Sequence, residues 1–264
     1  MNHPVLDRHE IVSGLGEATM WRDVRTVAST GSTNIDVAAL ARHGAAEGLV
    51  VVASEQTAGR GRLDRTWASP PGASVAMSLL LQPQPSWEWW GWLSLLAGMA
   101  VAGGMADLAP EAGAAELKWP NDVLVRGRKV CGILSERVEH PTGPRAVVGI
   151  GINLTLTEDE LPVPTATSLA LEGYPARGEA VVAAVLRHFE HHYATWQRTG
   201  TLHDTYAAQC ASVGAELSIT VDKHHRVHGR GYGVDDLGRL QVSTPTGMQT
   251  FAVGDVVHAR LRRD

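Results

Sequence analysis

From Trp89 to Ala106 the chain runs for 18 residues without a charged side chain, about the threshold of 18 at which a segment becomes a candidate membrane helix. Such a stretch has two solutions: it crosses a bilayer, or it is covered on most sides inside a globular core. The four glycines Gly91, Gly98, Gly103 and Gly104, the acids Glu88 and Asp107 at its ends, and the absence of Lys or Arg between Arg65 and Lys118 remove the flanking positive charge that orients membrane helices. The segment is therefore expected to be a helix buried against a sheet. A chain of 264 residues has room for the core this demands, as one large domain or a large and a small one.

The formal net charge of −5 argues against a general affinity for nucleic acid, so any anion site must be a local concentration of cations. Two cysteines, Cys131 and Cys210, provide neither a disulfide framework nor metal-ligand spacing, as in a reducing compartment. Met1 to Glu10 is polar and shows no basic region followed by an apolar run, so no secretory signal is expected and the cytoplasm is the expected location.

Short apolar runs at Arg25–Ser29, Leu49–Ser54, Ser74–Gln82, Ala115–Lys118, Val123–Val125, Val130–Val138 and Ala146–Leu154 read as strands. Ser32-Thr33-Asn34 caps a helix whose apolar face is expected to include Ile35, Ala38, Ala39 and Ala41. Arg126-Gly127-Arg128 is the clearest hairpin turn. Gly178–Gln197 carries apolar residues at spacings near three and four and predicts an amphipathic helix; Leu202–Cys210 is expected to continue helically. From Gly214 short alternating runs separated by Asp235-Asp236-Leu237-Gly238 and Pro245-Thr246-Gly247 predict a compact β module of five or so strands, with a boundary near Ser212.

Three segments could carry chemistry. Gln56 to Arg62 puts Arg60 and Arg62 on a loop flexed by Gly59 and Gly61, where backbone and two guanidinium forks can converge on a carboxylate or phosphate; an exposed arginine-glycine loop is the plainer alternative. Lys118-Trp119-Pro120-Asn121-Asp122 presents lysine, amide and carboxylate within five residues, able to neutralise a phosphate or simply to form a hydrogen-bonded turn. Gly149-Ile150-Gly151-Ile152-Asn153 lacks the third glycine of a dinucleotide fingerprint and the Gly-Lys-Ser/Thr of a P-loop, and its alternating glycines mark close approach to a strand. Only three of the 23 basic residues are lysines, Lys118, Lys129 and Lys223; a lysine kept in an arginine-rich chain marks either a needed point charge or compositional drift.

In order and spacing these segments, with Gly31 to Asn34, Trp67, Arg128-Lys129, Gly132-Ile133-Leu134 and Ala166-Thr167-Ser168-Leu169, resemble the biotin protein ligase family. The resemblance implies an α/β fold of the α+β type: a mixed-sheet catalytic domain over residues 1–211 and an SH3-like β-barrel over 212–264. It implies an ATP-dependent ligase that makes biotinyl-5′-AMP and transfers biotin to a lysine of a biotin carboxyl carrier protein domain of acyl-CoA carboxylases. By motif position, Ser32, Thr33, Asn34, Gln56, Arg60, Gly61, Arg62 and Lys129 form the biotin side, and Trp67, Lys118, Asn121 and Asn153 the ATP or adenylate side. Lys118, Arg60 and Asp122 are the catalytic set, with Asp122 placed to meet nucleotide-borne Mg²⁺ or the acceptor lysine. Residues 1–23 have no assigned counterpart and are too few for a winged helix, since small independent domains need about 40 residues; no DNA and no membrane partner is expected.

Two histidine clusters stand outside this set. His188 and His192 have the i, i+4 spacing of a zinc pair but no third ligand, and are expected on a solvated helix face. Lys223 to His228 reads as an exposed turn. A lipoate or octanoyl transferase of related fold is the alternative enzyme, and a biotin- or nucleotide-binding module without catalysis the alternative of another class.

Overall fold

The computed structural model describes residues 5–17, 19–62, 65–221, 226–252 and 258–261, the last by backbone alone. In chain order the elements are α1 (Arg8–Leu15), β1 (Asp23–Val27), α2 (Thr33–Arg42), β2 (Leu49–Ala53), the short β3 (Gly59–Arg60) and β4 (Thr66–Trp67), and β5 (Ser74–Leu81). There follow α3 (Trp92–Leu108), β6 (Glu116–Lys118), β7 (Asp122–Val125), β8 (Arg128–Val138), β9 (Arg145–Asn153), α4 (Gly178–Thr199) and α5 (His203–Ala207). The last strands are β10 (Glu216–Thr220), β11 (Arg226–Val234), β12 (Leu240–Thr244), β13 (Gly247–Phe251) and β14 (His258–Leu261).

Seven strands form one sheet in the order β1-β2-β5-β9-β8-β7-β6. Only β1 and β2 are parallel, because α2 supplies the crossover that a parallel pair requires; every other neighbouring pair is antiparallel. This is the expected mixed sheet. The turn between β7 and β8 has Arg126 at φ 48° and Gly127 at φ 75°, the two left-handed residues of a tight hairpin.

The uncharged segment becomes a 3-10 turn at Trp87–Trp89 followed by α3, in which 13 of 17 residues are buried. No described helix is long and apolar enough to cross a membrane. α3 packs against both the sheet and α4, and its glycines allow the approach: a Cβ on Gly104 would stand 3.0 Å from the Val185 nitrogen and one on Gly103 2.5 Å from the His188 ring.

Strand alternation sorts the core into two. Val75, Met77, Leu79 and Leu81 of β5 and Val148, Ile150 and Ile152 of β9 join the large cluster under α1, α3 and α4. Leu80, Val147 and Val138 face the other way and pack with Val37, Ala38 and Ala41 of α2. The expected inward face of α2 is thus corrected: Ile35 and Ala39 are exposed, and Thr33 and Asn34 are buried instead. The helix is turned so that its polar first turn meets the sheet.

α1 falls in the unassigned N-terminal stretch. Its signals are conventional, an Asp7 side chain accepting from the N–H groups of His9 and Glu10 and an i, i+4 pair, Ile11 and Leu15, buried against the core. Helix α5 stops at Ala207 rather than Cys210 because residues 209–211 pair with β6. The Leu117 N–H donates to the Gln209 carbonyl (2.9 Å) and the Ala211 N–H to that of Leu117 (2.8 Å).

The remaining strands form a five-stranded antiparallel sheet in the order β13-β12-β11-β10-β14, the expected SH3-like module; no pairing closes β13 onto β14 among the described residues. Of the Lys223 to His228 turn, Lys223 to His225 lie outside the described residues; Arg226 to His228 are strand.

The histidine face of α4 is only partly solvated. His191 is exposed, but His188 Nε2 bonds Asp107 Oδ2 of α3 at 2.9 Å and Glu190 accepts from the Thr19 hydroxyl and the Met20 N–H. No group of three His, Cys, Asp or Glu among the described residues is placed to hold a metal ion. Burial, with the neighbouring His191 and His188, pulls the His192 imidazole down to about 4. The unfolded chain therefore takes up this proton near its ordinary pKa of about 6.5, whereas the folded chain resists until about 4. Stability is expected to fall by about 2 kcal/mol between pH 7 and 5 on this account alone. Urea unfolding at both pH values checks it, with His192→Gln expected to flatten the dependence.

Candidate active site

The cavity lies on the α2 side of the sheet, beside the helix, where the strands carry small residues. Ala76, Gly132, Gly149 and Gly151 line it, and the glycines are required by what sits on them. A Cβ on Gly149 would lie 2.2 Å from Asn34 Oδ1, and one on Gly151 2.6 Å from the Trp67 ring. The alternating glycines thus admit two side chains of the site onto the strand.

Ser32, Thr33 and Asn34 open α2 and, with Gln56, line one wall. Gln56 Oε1 accepts from the Thr33 N–H (2.8 Å) and the Thr33 hydroxyl (3.1 Å), doing for the helix start what an N-cap side chain does elsewhere, since the Ser32 side chain makes no cap bond. The buried hydroxyl of Ser78 on β5 lies 2.7 Å from Thr33 Oγ1 and 2.6 Å from Asn34 Oδ1. Asn34 Nδ2 donates to the Leu134 carbonyl and, at 2.7 Å, to Glu136 Oε2. The same Glu136 oxygen accepts from Arg60 Nη2 at 2.6 Å, so one carboxylate ties the arginine loop to the first turn of α2.

The loop itself is partly strand. β3 pairs with β4, and the Gly61 N–H donates to the Arg65 carbonyl (2.7 Å). Arg60, Gly61 and Arg62 all line the cavity. Burial pushes the Arg62 guanidinium below its ordinary pKa, with Asp122 opposing the shift; at any working pH it stays charged. Trp67 at the end of β4 packs over two strands, at Gly151 of β9 and Gly132 of β8. Its indole nitrogen is buried without a protein hydrogen-bond partner.

Opposite stands an ionic cluster. Asp122 Oδ1 is 2.5 Å from Lys129 Nζ, and Asp122 Oδ2 is 3.9 Å from Lys118 Nζ. The Lys129 ammonium also lies 5.7 Å from the centroid of Trp67, within range of the ring's negative face. Asp122 is the single carboxylate among the described lining residues, and it shares two ammonium groups. One carboxylate fits a Mg²⁺ that takes its other ligands from phosphate oxygens and water, not a resident ion caged by protein.

Around that cluster the backbone is fixed by distant parts of the chain. Asn121 donates through Nδ2 to the Ile133 carbonyl (2.9 Å). Trp119, joined to Pro120 by a cis peptide, is buried. Its N–H donates to Ser212 Oγ (3.2 Å) and its indole to the Gly238 carbonyl (3.0 Å).

The structure brings together every residue of the expected set except Asn153. That side chain is buried and donates to the Thr167 carbonyl (2.8 Å); it is not among the cavity-lining residues. Two partners were not anticipated. Ser78 was legible as a lone hydroxyl in an otherwise apolar strand interior; Glu136, on a strand of mixed burial, carried no signal of its own.

The Biotin/lipoate A/B protein ligase family matches residues 28–153, and the Biotin protein ligase C terminal domain matches residues 218–259. The biotin–[acetyl-CoA-carboxylase] ligase of Mycobacterium tuberculosis is 37% identical over 263 residues, 97% of this chain and 97% of that protein. The bifunctional ligase/repressor BirA of Bacillus subtilis is 33% identical over 256 residues, 92% of this chain and 74% of that protein. Among solved structures, biotin protein ligase from Aquifex aeolicus in complex with biotin and ATP matches with a TM-score of 0.77 over 91% of this chain and 100% of that one. At 23% identity this last likeness is one of fold.

The glycine floor generates a direct test. Gly149→Ala should displace Asn34 from Ser78 and Glu136 and lower stability by about 1–3 kcal/mol. Gly113, whose Cβ would meet nothing within 4 Å, is the control, and Gly113→Ala should change the urea midpoint little.

Proposed function

The chain belongs to the biotin protein ligase family, and from that membership we propose that it activates biotin with ATP and passes the biotinyl group to one lysine of a carboxyl-carrier domain of an acyl-CoA carboxylase. In the first step a biotin carboxylate oxygen bonds to the α-phosphorus as the bond to the β-phosphate oxygen breaks, giving biotinyl-5′-AMP and pyrophosphate. In the second the neutral amine of the acceptor lysine attacks the acyl carbon. AMP leaves and the amine gives up its proton.

The observation that carries this reading is the convergence of Lys118, Lys129 and Arg62 about the single carboxylate of Asp122 in a chain of net charge −5. An anionic nucleophile meeting a triphosphate needs fixed cations where charge gathers in the transition state. Lys118 faces the α-phosphate and the reacting carboxylate. Ser32, Thr33, Asn34, Gln56, Arg60, Gly61, Arg62 and Lys129 form the biotin side, and Trp67, Asn121 and Asn153 the adenylate side. Asp122 would hold the Mg²⁺ carried by ATP, which would neutralise phosphate charge there.

Residues 1–211 make up the catalytic domain and 212–264 the SH3-like domain. Both cysteines are buried and free, in keeping with a reducing cytoplasm.

Biotin-dependent ATP–pyrophosphate exchange tests the first step alone, and exchange supported by lipoate but not biotin would overturn the substrate assignment. Lys118→Ala is expected to lower the exchange rate by about 10²–10³-fold with the fold retained. Wild-type exchange in that variant would remove Lys118 from the chemistry. Arg62→Ala should instead weaken biotin and adenylate retention by about 1.5–3 kcal/mol, read as faster adenylate release in a filter or gel-filtration assay.

A further inference from the structure

A buried carboxylate outside the cavity grips the strand that carries Lys129. The β7–β8 ladder shifts register between Val123 and Leu124, and the main chain of Lys129 is bonded elsewhere. Its N–H donates to the Thr165 carbonyl (2.7 Å) and its carbonyl accepts from the Thr167 N–H (2.9 Å). Residues 165–167 thus serve as a neighbouring strand at the very residue whose ammonium meets Asp122.

That segment is itself held at two points. Asn153 donates to the Thr167 carbonyl, and the Leu169 N–H donates back to Asn153 (3.0 Å). Glu172, whose side chain is 0% exposed, accepts through Oε1 from the Thr167 hydroxyl (2.7 Å) and from Arg128 Nη2 (2.8 Å). Its Oε2 lies 3.4 Å from Arg126 Nη1. Arg126 is the one described non-glycine residue at positive φ, in a turn position that ordinarily goes to Asn, Asp or Gly. An arginine placed there against that preference supplies charge to a buried carboxylate that would otherwise be costly.

We propose that Glu172 is a positioning residue for the biotin side of the site. Through Thr167 on one side and Arg128 on the other it fixes the main chain about Lys129, and thereby holds the Lys129 ammonium against Asp122. Glu172 does not line the cavity, so it acts only through its neighbours. The inference rests on the assignment of Lys129 to the biotin side.

The scarcity of lysine makes the test clean, because isotope-labelled lysine gives three side-chain NMR signals in the whole chain. Glu172→Gln keeps the shape and an acceptor for Thr167 but removes the charge that Arg128 and Arg126 answer. The Lys129 signal should move, and by more than the Lys118 signal, and the KM for biotin in pyrophosphate exchange should rise about tenfold, with kcat less affected. Arg128→Gln, at a half-exposed position, should move the same signal, and combining the two should add little; it also decides the matter if Glu172→Gln does not fold. A lowered melting temperature with the Lys129 signal and biotin KM unchanged in both variants would make Glu172 a purely structural residue and overturn the proposal. Lys129→Met separates the premise: an unaltered biotin KM there overturns the role of Lys129 itself, whatever Glu172 does.

Discussion

Strand β9 has to serve two neighbours with opposite demands, and the rest of the molecule is arranged around how it does so. On one face Val148, Ile150 and Ile152 fill the core beneath three helices; on the other, Gly149 and Gly151 leave the strand bare. The period of two in side-chain direction lets one stretch of chain do both. The apolar face contributes the driving force, at about 25 cal/mol for each Å² removed from water. The bare face makes a recess that a helix start and an indole enter. Where β9 regains bulk at Val147, α2 packs directly and the recess ends.

Electrostatics within the recess follow from its small count of acids. Asp122 lies within ion-pair distance of both cavity lysines, and Arg60 is answered by Glu136 from outside the lining. The cations are therefore ordered before any anion arrives, which is the preorganisation that phosphoryl and acyl transfer reward. Overall negative charge and a local positive site coexist because the interaction between charges weakens steeply with distance and screening.

Much of this was legible in the sequence. The strands of the seven-stranded sheet were recovered within a few residues because their apolar runs are bounded by Gly and Pro, and the hairpin at Arg126-Gly127 followed from turn chemistry; the short β3 and β4 inside the arginine loop carried no such run. The site motifs fell together because each occupies a strand end or helix start facing the same recess. What was not legible depended on tertiary context. The rotation of α2 was misjudged because apolarity pointed to Ile35, whereas hydrogen bonds to Ser78 and Glu136 turn Asn34 inward. The partner of Asn153 was equally hidden: its Nδ2 donates to the Thr167 carbonyl, 14 residues on in a segment without regular secondary structure. The helix that ends at Ala207 yields to pairing with Leu117, a partner some 90 residues earlier that local pattern cannot reveal.

That last pairing belongs to a wider arrangement. Lys118 sits between Leu117, bonded to residues 209–211, and Trp119, bonded to Ser212 and Gly238. The separations in sequence are 93 and 119 residues. A chain leaving the ribosome therefore completes β9, α3 and α4 before the support for Lys118 exists. Domains form progressively as synthesis proceeds, at about 5–20 residues per second. For several seconds the nascent protein has a sheet and a helical core while the hairpin that carries Lys118 lacks its partners at residues 209–212 and Gly238, so this wall of the recess is among the last parts to be braced.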